Sequence, residues 1–157
     1  MNKFTIIIII FAIAIITSAI IISNGKKSES NQQIASVISV DRESHDFGEI
    51  EIFAGKVETT YILTNEGEQD VIIKSAITSC MCTEGIIGKM KFGMHSATGG
   101  YVVIPAGGEE TLTAIYDPLA HGPDGVGKIT RELTVKTNSI TTPEITVKLS
   151  ANVVKNQ

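Results

Sequence analysis

Cys80 and Cys82 are the only cysteines in the 157 residues, and Met81 alone separates them. Residues i and i+2 of a strand point to one face, with Cα atoms about 6.5–7 Å apart. That separation lies at the upper edge of disulfide geometry, so a bridge requires a local bend or carries strain. Two thiols facing one way are also suited to chelating a soft metal. Met81, Met90, Met94 and His95 fall within the same stretch, and His121 lies in the turn-rich segment 117–127. Thiolate, thioether and imidazole are donors that copper accepts readily, so the candidate ligands for Cu(I) are Cys80, Cys82, Met94, His95 and His121. Three readings stay open at this level. The cysteines are small hydrophobes of a core, or a CxC disulfide in an oxidising compartment, or a soft-metal site.

Other chemistry is sparse. The chain has no HExxH, no GxSxG, no phosphate-binding glycine loop and no CxxC. Cys82 with His95 or His121 has the residue types of a nucleophile pair but no supporting signature. Asp117 and Asp124 precede Pro118 and Gly125, which is ordinary turn chemistry. His45 stands at the start of a strand and reads as a packing or hydrogen-bonding residue. The expectation is therefore a protein that is not an enzyme, with no small-molecule substrate. From Asn31 onward 10 Lys and Arg face 16 Asp and Glu, a net charge of −6 (10 minus 16). Without a basic stripe and interleaved aromatics, no nucleic-acid partner is expected.

The elements that must position these groups are strands. The chain holds 26 Ile, 11 Val and 16 Thr, and branched side chains fit a pleated surface better than a helix turn. After Gln33, short apolar runs alternate with turn signals, the pattern of a sandwich or barrel. Strands are expected over 34–40, 45–52, 56–64, 71–78, 101–104, 111–116, 128–136 and 145–153. Tyr61, Leu63, Leu112, Tyr116, Leu133 and Leu149 fall on the inward side of their runs. Asn65-Glu66-Gly67 reads as a turn, since Asn and Gly tolerate positive φ. If every connection reverses the chain, the 117–127 loop lies at the cysteine end; one additional full-length strand within 84–92 would undo that.

The N-terminal fifth has a different logic. Phe4 to Ile22 is interrupted only by Thr5, Thr17 and Ser18. A helix of that length, at about 1.5 Å per residue, nearly spans a hydrocarbon core of about 30 Å. Residues 4–22 are expected to be a transmembrane anchor or a signal segment, with 1–3 as a short cytoplasmic end. Residues 23–33 (SNGKKSESNQQ) read as a flexible tether. Lys3 precedes the span and Lys26 and Lys27 follow it, so charge hardly discriminates orientation. The usual bias of a leading anchor places the domain outside the cytoplasm. The alternative is secretion after signal cleavage.

Several motifs occur together in one order. They are His45-Asp46-Phe47-Gly48-Glu49-Ile50, Gly55-Lys56-Val57, Thr64-Asn65-Glu66-Gly67, Ser79-Cys80-Met81-Cys82-Thr83, Pro105-Ala106-Gly107-Gly108, Tyr116-Asp117 and Thr137-Asn138. As a set they resemble the bacterial domain of unknown function 1573 family, whose members are similar to immunoglobulin-like modules of the ASH/Hydin and major-sperm-protein type. Met81 stands where that family usually has Gly, and 84–100 is longer than its pattern. The resemblance implies a fold and an envelope location, and no established reaction. The expected fold is thus all-β, an immunoglobulin-like β-sandwich of about seven to eight antiparallel strands over 34–155, preceded by one N-terminal transmembrane helix. The expected role is a membrane-tethered extracytoplasmic module that binds an envelope protein, or alternatively a copper-binding or copper-delivery protein.

Overall fold

Alternate residues of the apolar runs all turn inward. In the computed structural model, which describes residues 34–156, Tyr61, Leu63, Leu112, Tyr116, Leu133 and Leu149 are all buried. A strand points successive side chains to opposite faces, so such runs stay in register only as two sheets facing each other.

The strands are β1 (Ile38–Val40), β2 (Ser44–Glu51), β3 (Val57–Asn65), β4 (Val71–Thr78), β5 (Thr83–Ile87), β6 (Met90–Phe92), β7 (Ala97–Thr98), β8 (Val102–Ile104), β9 (Glu109–Tyr116), β10 (Gly127–Thr137) and β11 (Glu144–Val154). One sheet has the order β1-β3-β9-β5-β6-β7 and the other β2-β11-β10-β4-β8. The core between them is built on Tyr61, Tyr116, Leu63, Ile73, Ile104, Leu112, Leu133 and Leu149.

Three expectations need correction. There are 11 strands among the described residues, not seven to eight, because the 84–100 segment contributes β5, β6 and β7. Their lengths of 5, 3 and 2 residues are too short to display a period in the sequence. The sheets are also not wholly antiparallel, since β2 runs parallel to β11. No hairpin joins those two strands, so nothing imposes the antiparallel sense. Finally, the first strand is shorter than 34–40, with Ile34 making only an isolated bridge to Ser139. The anchor, the tether and the cytoplasmic end expected over 1–33 lie outside the described residues. Among the described residues no helix is long and apolar enough to cross a membrane.

Polar groups tie the sheets together where apolar contact alone would let them slide. The Tyr61 hydroxyl on β3 donates to the Lys148 carbonyl on β11 at 2.6 Å. The Asn65 side-chain amide, fully buried, donates to the carbonyls of Gln69, Ile104 and Pro105 at 2.9–3.0 Å, and its oxygen accepts from Gly67 N–H at 3.1 Å. At the other end the Thr78 hydroxyl, on β4, donates to the carbonyls of Cys80 and Thr83. That third tie is the foundation of the cysteine turn.

Candidate functional site

Strand β4 ends at Thr78, but its pairing with β10 continues one residue further. Ser79 N–H donates to Glu132 O, and Glu132 N–H donates to Ser79 Oγ, each at 2.9 Å. Thr83 N–H then donates back to Cys80 O at 3.1 Å, closing a four-residue turn. The turn draws the Cα atoms of Cys80 and Cys82 to 5.2 Å, inside the bridging range, and the two sulfurs are joined in a disulfide. A bend thus supplies the proximity that an extended CxC lacks. Cys82 N–H also points at Cys80 Sγ, 3.3 Å away. Cys82 is 2% exposed, whereas Cys80 is half-buried at the rim.

Pairing of β5 with β9 brings the next groups in. Thr83 lies opposite Tyr116, and Asp117 N–H donates to Cys82 O at 2.9 Å, so the 117–126 loop starts from the cysteine turn. Successive turns fold this loop over. Asp117 Oδ1 accepts from Leu119 N–H, Leu119 O from Gly122 N–H, and Gly122 O from Gly125 N–H. The result sets His121 Nε2 3.2 Å from Cys80 Sγ, with the imidazole exposed to solvent. Asp124 is met by Lys155 Nζ at 3.3 Å.

On the opposite side Arg131 of β10 donates from Nε to Cys82 Sγ at 3.1 Å, and from a terminal nitrogen to Thr130 O at 2.8 Å. The disulfide therefore has two distinct ends. Its outer sulfur faces an imidazole and its inner sulfur a guanidinium. Tyr116, buried beside them, has its hydroxyl pKa raised above the usual 10.0, chiefly by burial; Arg131 opposes that shift and Asp117 adds to it.

Of the five candidate metal ligands, Cys80, Cys82 and His121 offer donor atoms all within 4.8 Å of one another. His95 is not among them; it lies with Met94 in an exposed turn closed by Gly93 N–H to Ser96 O. Met94 is 43% exposed, Met81 projects into solvent, and Met90 is buried in the core on β6. Proximity in sequence overstated what these side chains share. Arg131 escaped sequence reasoning, although a signal was present. It occupies the inward phase of the Ile129, Leu133, Val135 alternation, where a charge needs a partner. His45 packs edge-on against Phe47 with ring centroids 4.6 Å apart, a structural contact.

Two facing sheets, one antiparallel and the other antiparallel but for the β2–β11 pair, closed at one end by a CxC turn, make this an immunoglobulin-like β-sandwich. The chain belongs to the family described as "Protein of unknown function (DUF1573)", whose model matches residues 38–153. No curated protein matches it. Among solved structures it is similar to a protein of unknown function from Porphyromonas gingivalis W83, at 16% identity and a TM-score of 0.60, covering 82% of this chain and 51% of that one. The chain thus spans about half of that protein's length. A family 123 glycoside hydrolase from Clostridium perfringens matches at 8% identity and a TM-score of 0.55, over 78% of this chain and 27% of that one. The ASH / PapD-like domain 7 of human CEP192 matches at 15% identity and a TM-score of 0.49, over 76% and 87%. At these identities the likeness to the first two structures is one of fold alone.

Proposed function

We propose that the protein is a membrane-tethered, extracytoplasmic interaction module, not an enzyme, that receives an extended segment of an envelope protein along the free edge of β8. The observation carrying this reading is that edge. β8 pairs with β4 on one side only, among the described residues. Val103 at 39% exposure, Tyr101 at 55% and the half-buried Ile72 make an outward apolar strip beside it. An unpaired edge presents a row of backbone donors and acceptors, and apolar side chains flanking it supply pockets for alternate residues of an added strand. The test is a photo-crosslinking residue at position 103 of the full-length chain in cells. A discrete adduct in the membrane fraction is expected, lost when Tyr101→Lys and Ile72→Lys place charges on the strip. A version starting at Ser30 is expected in the soluble fraction. A wholly soluble full-length chain, or adducts indifferent to the lysines, would overturn the reading.

A second reading is supported by the convergence of Cys80, Cys82 and His121. Once reduced, two thiolates and an imidazole suit a three-coordinate Cu(I) ion. The reduced full-length protein in detergent should bind one equivalent of Cu(I) against a competing chelator. Binding should vanish in Cys80→Ser with Cys82→Ser, weaken in His121→Ala and persist in His95→Ala. The oxidised protein should not bind, because a disulfide removes both thiolates. Equal weak binding by parent and double variant would dispose of the site.

A further inference from the structure

We infer that the Cys80–Cys82 disulfide is a thiol–disulfide exchange site that accepts two electrons from a dithiol-bearing protein, with Cys80 as the attacked sulfur and Cys82 as the leaving sulfur. The assignment of roles comes from the asymmetry of the site. Cys80 lies at the rim, while Cys82 is 2% exposed. An incoming thiolate can therefore reach only one of the two sulfurs. The exchange needs no metal, and it does not depend on an added strand at β8.

The electrons and protons balance over two displacements. The first partner thiol loses its proton to water and approaches Cys80 Sγ at the rim, where His121 Nε2 lies 3.2 Å from that sulfur. The resulting thiolate bonds to Cys80 Sγ as the Cys80–Cys82 bond breaks, and Cys82 departs with the electron pair. Arg131 Nε–H, already 3.1 Å from Cys82 Sγ, holds that developing anion in a charge-assisted hydrogen bond. Exchange rates depend on how well the leaving sulfur carries charge, so a guanidinium on Cys82 speeds displacement at Cys80. The second partner thiol, its proton lost to water, then attacks the partner's own sulfur in the mixed disulfide. The partner leaves as a disulfide. Cys80 departs as a thiolate, and Cys80 and Cys82 are each protonated from water. One disulfide has been formed and one reduced.

The arrangement is more than a fold staple. A staple buried in a core has no use for a solvent-facing imidazole on one sulfur and a cation on the other. The 117–126 loop is also pinned to the cysteine turn through Asp117 N–H and Cys82 O, a backbone contact in which neither sulfur takes part.

The test uses the full-length protein in detergent with a metal chelator present throughout, so that its outcome is separate from copper binding. Reduced Cys82→Ser and Cys80→Ser each carry one thiol and are treated with 5,5′-dithiobis(2-nitrobenzoate). Cys80 should react at least about tenfold faster than Cys82 in the folded protein, and equally in denaturant, as expected when access controls reactivity. Dithiothreitol then serves as the dithiol probe on the parent disulfide. Arg131→Met should slow its reduction by about tenfold, with partial rescue by Arg131→Lys, because the leaving sulfur loses its cation. A merely structural Arg131 gives the opposite sign, since loosening the turn exposes the disulfide and speeds reduction. Equal reactivity of the two single thiols in the folded state, or reduction of Arg131→Met at or above the parent rate, would overturn the proposal.

Discussion

A single buried hydroxyl shows how one residue serves packing and polarity together. Tyr61 fills the core and donates to Lys148 O at 2.6 Å, and burial pushes its pKa above the usual 10.0, with Arg42 opposing and Asp41 adding. Its neutral form is thus favoured in the folded state. The stabilisation is complete below the unfolded pKa near 10 and is lost as pH rises toward the higher folded value, because the unfolded chain ionises first. Tyr61→Phe should cost about 1 kcal/mol at pH 7 through the lost hydrogen bond. That deficit should shrink above pH 10 in urea-unfolding curves; a deficit constant from pH 7 to 11 would contradict the linkage. Tyr116 carries a raised pKa of the same sign, so the variant removes only part of the alkaline loss. Other residues owe their identity to neighbours rather than to their own preferences. Gly67 was expected to serve a positive φ, yet its φ is not positive. A Cβ there would stand 2.3 Å from Ser36 Oγ, so close approach excludes a side chain.

Among the elements, the β5–β6 hairpin does the most to shape the site. Gly85 lies opposite Phe92, and the phenyl ring occupies the space where a Cβ would stand, 2.1 Å from it. Gly88 turns the hairpin at φ +52°, a conformation costly for other residues. Residues 84–92 thus supply two short strands instead of one long one. The chain returns toward the end it left, and β5 can start beside the end of β9. Gly85→Ala should displace Phe92 and cost about 2 kcal/mol, in the range of overpacked cores. Chemical denaturation measures it, and Gly85→Ala with Phe92→Leu should recover most of the loss. No recovery would mean that the ring is not what Gly85 accommodates. A hairpin of this kind is hard to read in advance. Thr83–Ile87 and Met90–Phe92 are too brief for a period of two to stand out against Gly85, Gly88 and Gly93.

At the scale of the molecule, the sandwich is held by its apolar interior and by ties such as those of Tyr61 and Asn65, rather than by its disulfide. A bridge between residues two apart closes a very small loop. Its entropic contribution is about 1.5 kcal/mol, a small share of what a domain this size gains from burial. Reduction should therefore lower the melting midpoint by about 5 °C and leave a single cooperative transition. Calorimetry of the oxidised and reduced protein decides this; loss of cooperative unfolding on reduction would show that the bridge is structural. A fold that stays cooperative when its disulfide is reduced leaves that disulfide free to change state, as an exchange site requires.

Eight of the strands, and the inward faces of four of them (β3, β9, β10 and β11), were legible in the sequence. Strand alternation is local: each residue of Ile145, Val147, Leu149, Ala151 and Val153 reports its side of the sheet without reference to any other segment. All five are buried. The residues with chemical potential were legible as types, and the cysteine end of the fold could be matched with the 117–127 loop on chain reversals alone. What surrounds the sulfurs was not. His121 reaches Cys80 because Thr83 pairs with Tyr116, and Arg131 reaches Cys82 because Glu132 pairs with Ser79. Those pairings join positions 33 and 53 residues apart, where no local period carries information (116 minus 83, 132 minus 79). The bend that lets Cys80 and Cys82 bond is equally tertiary. It starts where Ser79 exchanges two hydrogen bonds with Glu132 of β10, 53 residues away, after which the Thr78 hydroxyl and Thr83 N–H close it locally.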